Sequence, residues 1–62
     1  MLKPYKDMMI KTIIVKVEDC KIADYQVVAV NGVVSILSDI INGEDVWIIK
    51  TTSPAALIAA LY

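Results

Sequence analysis

The sequence predicts a small α+β domain, and three observations carry that expectation. Ile10–Glu18 (IKTIIVKVE) alternates with period two. Val46–Thr51 (VWIIKT) is a second β-rich run. Ser53-Pro54 then opens an apolar stretch of good helix formers. A 62-residue chain has room for one domain, taken as 1–62 with residues 1–9 as a loosely ordered leader. Met1–Asp7 is mixed in polarity and contains Pro4, and Met8 and Met9 offer alternative translation starts.

In the first run, Thr12, Ile14, Lys16 and Glu18 fall on one face and Ile13, Val15 and Val17 on the other. Alternation with β-branched residues is the signature of a half-buried strand. Asp19–Asp24 reads as a connection. Tyr25–Val30 (YQVVAV) reads as a second strand, less clearly sided.

Asn31-Gly32 follows, and two readings compete for the next segment. Asn-Gly between apolar runs is a strong hairpin signal, which would make Val33–Leu37 a strand. Against this, Ser35, Ser38, Asp39 and Asn42 recur at helical spacing. Val33, Val34, Ile36, Leu37, Ile40 and Ile41 fill the remaining surface. Asn42-Gly43 would then be a left-handed C-terminal cap. The helical reading of Val33–Asn42 is adopted, with the hairpin as its rival.

Val46–Thr51 is the third strand, with Trp47 sharing a face with Ile49 and opposing Ile48. Serine at the N-cap and proline at the first position begin a final helix, AALIAALY, to Tyr62. The expected order is β-β-α-β-α. The sheet would be covered by a short amphipathic helix and an apolar C-terminal one. That last helix has no polar face and must be covered on more than one side.

Ile36–Lys50 (ILSDIINGEDVWIIK) resembles the helix–Asn-Gly–strand segment of the small YonK-like proteins encoded by Bacillus prophages. The resemblance covers about fifteen residues, and the apolar tail from Pro54 onward departs from the family pattern. It implies a phage-type origin and carries no activity with it.

Composition bounds the chemistry. Apolar residues make up 58% of the chain. A domain of about 60 residues buries only roughly 60% of its unfolded surface, so apolar area is left over. A core this small rarely supplies more than about 3–5 kcal/mol without a staple. Cys20 is the only cysteine and there is no histidine, so neither an internal disulfide nor the usual zinc site can serve. Oligomerisation is the staple that remains. Trp47, Leu57, Ile58, Leu61 and Tyr62 are the candidate shared surface, with another protein as a further partner.

The other classes fare worse. Six scattered lysines, no arginine and a net charge of −1 argue against nucleic acid, and with it an antitoxin-like DNA-binding dimer. Without histidine, a nucleophile elbow or a phosphate loop, no catalytic residue is assigned. The carboxylate pairs Glu18-Asp19 and Glu44-Asp45 lack calcium-loop spacing and read as solvated strand ends, so no metal or cofactor is expected. A small-molecule or nucleotide binder with an inter-subunit site is the alternative. The backbone at Asn31, Gly32, Asn42 and Gly43 would be its points of close approach. Cys20, beside Glu18 and Asp19, reads as an inert thiol suited to a reducing compartment. The longest apolar run, Pro54–Tyr62, is nine residues, far short of the roughly 20 that span a bilayer. A cytoplasmic location is the resulting expectation.

Overall fold

The computed structural model describes residues 9–62, so nearly all of the leader expected over 1–9 lies outside the described residues. Strand β1 (Lys11–Lys16) leads through a 3-10 turn (Val17–Asp19) to a one-turn helix α1 (Asp24–Val27). Strands β2 (Val33–Ile41) and β3 (Glu44–Thr51) follow, then helix α2 (Pro54–Leu61). The three strands form an antiparallel sheet in the order β1-β3-β2. The last strand thus sits in the middle, and β1 and β2 are parallel, non-adjacent edges. The segment between them crosses one face of the sheet, carrying α1 with it.

The α+β class holds, but the expected order does not: the elements run β-α-β-β-α. Tyr25–Val30 is not a strand. Gln26 Oε1 accepts the Ala23 N–H at 2.9 Å, closing the start of α1. Ala29 N–H then bonds to Gln26 O and Val30 N–H to Val27 O, so the chain keeps coiling in tight turns. Val27 is fully buried while Tyr25 and Val28 face outward. One core contact at Val27 outweighs the β preference of the valines, as tertiary packing commonly does.

Val33–Asn42 is not a helix but strand β2, so the helix expected to cover the sheet is part of the sheet. Asn42-Gly43 is not a C-terminal cap. It is the two-residue turn of the β2–β3 hairpin, with Ile41 opposite Glu44. Asn42 (φ 53°) and Gly43 (φ 79°) are both left-handed, the requirement of a type I′ turn. A bulge between Val33 and Ser35 shifts the register. That extra residue broke the alternation that would have announced a strand.

The remaining elements follow their sequence signals. In β1 and β3 the register sets Ile13 against Ile49 and Val15 against Trp47, the sidedness read from alternation. Helix α2 begins after Ser53 with Pro54 in its first turn, yet the Ser53 hydroxyl does not cap it. Instead the buried Thr51 Oγ1 accepts the Ser53 N–H at 2.9 Å. At its other end, Leu61 O accepts the Lys21 N–H at 2.9 Å, tying α2 to the crossover.

The core lies between the sheet's inner face and the two helices. Val15, Trp47 and Ile49 from the sheet meet Val27 of α1 and Leu57 and Leu61 of α2. Leu57 and Leu61 are spaced i, i+4 and so share one helix face. The alanines at 55, 56 and 59 point outward. Among the described residues no buried side-chain nitrogen or oxygen lacks a hydrogen-bond partner.

Candidate functional site

The sheet has a second face, and among the described residues no helix packs on it. Residues paired across a sheet share a face, so the pairings define three rows there. Thr12, Lys50 and Ser35 form a polar row at one end. Ile14, Ile48 and Leu37 form an apolar row in the middle. Lys16, Val46 and Asp39 form a third, with the two charges on opposite edges and Val46 buried between them. Ile14 is 56% exposed and Leu37 63%, with Ile48 half-buried between them. Ile41 adds an exposed side chain beside Glu44, beyond the third row. A contiguous apolar band on a solvent-facing sheet marks an interaction surface far better than isolated exposed residues do.

The charges around this band are arranged locally. Lys16 Nζ lies 3.3 Å from Glu44 Oε2, with both side chains about half exposed. The hydrogen bond to Glu44, then its charge, hold the Lys16 ammonium above its usual pKa. The pair is too solvated to stabilise the fold much. On the opposite edge, Asp39 Oδ1 accepts the Ile40 N–H at 2.7 Å. That occupies a backbone donor on an edge strand and blunts it against strand addition.

The residues expected to form the shared surface divide. Trp47, Leu57 and Leu61 lie in the chain's own core and are nearly or fully buried. Ile58 (41% exposed) and Tyr62 (53%) remain at the surface, on the helical side. Apolarity marked all five as needing cover, and the chain covers three of them itself. Sequence reasoning passed over Ile14, Leu37 and Ile48. The signal was present: Ile14 stood on the otherwise polar face of β1, and Ile48 stood opposite Trp47.

The backbone points proposed for ligand approach are not brought together, because Gly32 and Gly43 sit at opposite ends of β2. Gly32 (φ 96°) occupies a type II position in the turn closed by Val33 N–H and Val30 O. Its open side is filled by this chain: a Cβ there would lie 2.7 Å from Ser53 Oγ. Gly32 O also accepts the Thr52 N–H at 2.9 Å. The tight approach expected of a ligand is made by the start of α2.

Gly43 is open and borders a shallow cleft of about 310 Å³ with Lys16, Val17, Glu18, Glu44 and Asp45. Three carboxylates against one ammonium make this cleft hostile to a phosphate. Among the described residues, no group of three or more potential ligands is placed to hold a metal ion.

Cys20 sits half-buried at the rim of the core, its Sγ donating to Lys16 O at 3.3 Å. Burial first, and the Asp19 charge second, raise its thiol pKa. That is the opposite of what a nucleophilic thiolate needs. Partial burial, followed by the charges of Cys20 and Asp19, likewise raises the Tyr62 phenol. No helix among the described residues is long and apolar enough to cross a membrane.

Comparison of the chain with protein-family models, curated proteins and solved structures finds no match. The segment that carries the resemblance to prophage proteins, Ile36–Lys50, is a hairpin here rather than a helix and a strand.

Proposed function

We propose that this chain is a non-enzymatic, self-associating interaction module whose assembled form binds or sequesters another macromolecule. The observation that carries this reading is the apolar row Ile14–Ile48–Leu37 on a sheet face that no helix among the described residues covers. Exposing that row to water is unfavourable by roughly 25 cal/mol per Å² of apolar area, and association removes the cost. Composition points the same way, since a 58% apolar chain of this length has surplus apolar surface. A lone unpaired thiol fits a reducing compartment, and we assign the protein to the cytoplasm on that ground.

Sedimentation velocity across the micromolar range tests the reading. The expected result is a mass above the 6.8 kDa of one chain that falls on dilution. A single species of one-chain mass throughout that range would defeat it.

A further inference from the structure

We infer that the sheet face left uncovered by the described residues is covered by a second copy of this chain, turned about a two-fold axis parallel to β3. The inference rests on the self-association reading and adds to it the surface, the occupant and the orientation.

Charge placement selects the axis. Two sheets packed face to face keep their strands within about 30° of each other, so the three rows of one copy meet rows of the other. A two-fold axis along β3 sets β1 of each copy over β2 of its partner. Lys16 then meets Asp39 of the other copy within the same row, and symmetry makes the contact twice. Ile14 meets Leu37 and Ile48 meets Ile48, while Val46 is already buried within its own chain. The second oxygen of Asp39 has no partner among the described residues, so it can accept from the ammonium. Lys16 has three donors and can keep Glu44 while reaching Asp39.

The rival axis, perpendicular to the strands, sets Lys16 over Thr12, Asp39 over Ser35 and Lys50 over Val46. It forms neither ion pair. The chosen axis has one cost: Lys50 approaches its own symmetry mate. That row is the polar, exposed one, and a lysine stem can turn its ammonium outward.

The footprint bounds the strength. Three strands at ~4.8 Å and six residues at ~3.3 Å cover roughly 14 by 20 Å. That is well below the ~800 Å² per partner of a standard interface, so the association is of the weak, reversible class.

The axis makes a test that the rival axis fails. Ile14→Lys and Leu37→Glu are prepared as separate proteins. Both positions are more than half exposed, so both variants keep the fold, as far-UV circular dichroism verifies. Each alone places a charge against an apolar side chain of its twin. Each is expected to lose dimer mass, with at least about tenfold weaker association. Mixed in equal amounts, they restore the dimer, because the introduced ammonium of one meets the introduced carboxylate of the other. The opposite contact stays apolar.

Loss in both variants without restoration on mixing overturns the orientation. If both variants dimerise as the native chain does, the partner sits elsewhere, and self-association stands without this face. A native chain that is monomeric throughout overturns both. A second measurement needs no variant. Carbodiimide treatment of a mixture of ¹⁵N-labelled and unlabelled native chains should link Lys16 of one to Asp39 of the other. A dimer that yields no such mixed peptide refutes the assignment.

Discussion

The two faces of this sheet are built from the same kinds of side chain and meet different fates. The inner face presents Val15, Trp47 and Ile49, all buried under α1 and α2. The outer face presents Ile14, Ile48 and Leu37, and the end residues of that row stand more than half exposed. Hydrophobicity therefore does not distinguish them; topology does. The crossover from β1 to β2 and the final helix both pack on one side, where Leu61 O accepts the Lys21 N–H. An apolar residue in a small domain can thus serve two ends. On the covered face it holds the monomer together, and on the bare face it remains available for association.

The largest effect should separate the faces most sharply. Leu61→Asp places a carboxylate at a fully buried position in the apolar core. An unpaired buried charge costs several kcal/mol, comparable with the about 3–5 kcal/mol that a core of this size supplies. The variant is expected to be unfolded at room temperature, with red-shifted Trp47 emission and no cooperative melt. Leu57→Ala, a milder truncation in the same layer, should cost about 2–5 kcal/mol. A Leu61→Asp protein that melts like the native chain would show that α2 is dispensable to the core.

A second contrast lies along β2, whose covered end holds Gly32 and whose bare end holds Gly43. Both have positive φ, and an L-residue in the left-handed region costs about 1–2 kcal/mol. At Gly43 that is the whole penalty, because a Cβ meets nothing within 4 Å. At Gly32 the Cβ would press on Ser53 Oγ at 2.7 Å and Ser53 Cβ at 2.9 Å, and Ser53 starts α2. Gly32→Ala should therefore lower the melting temperature by more than Gly43→Ala does. At about 4–8 °C per kcal/mol for a domain of this size, the gap is readily measured. Equal shifts would mean that Ser53 yields freely and that the α2 start is loosely held.

Much of the fold was legible where one signal acted alone. β1 showed clean alternation, and Pro54 marked the start of α2. Trp47 was correctly sided with Ile49 because a strand's period admits only two faces. The errors fell where one residue type serves two structures. Asn42-Gly43 supplies positive φ to a helix cap or to a type I′ turn, and local sequence does not choose between them. In β2 the bulge after Val33 and apolar residues on both faces together imitate helical spacing. Val27, Val28 and Val30 favour a strand, yet the chain needs only Val27 in its core. The surface was half legible for the same reason. Apolar excess announces that cover is required, but the face left bare is decided by a crossover that no local pattern encodes.

The smallest effect concerns Cys20, at the rim between the covered face and solvent. Its pKa is raised by burial, then by Asp19, and its S–H donates to Lys16 O. Each favours the protonated thiol in the folded state. A raised folded pKa means that the folded chain holds this proton more tightly than the unfolded chain does. The contribution is complete below the ordinary thiol pKa of about 8.5 and is lost as pH rises through the folded value. Stability should accordingly decline on the alkaline side and stay independent of this group's titration at neutral pH, where its contribution is complete. Only the thiolate reacts with iodoacetamide. Cys20 in the native chain should therefore alkylate more slowly than the same cysteine in urea at pH about 8, and the difference should narrow at higher pH. A native rate equal to the urea rate at that pH would show that the rim is open, and that the covered face ends short of Cys20.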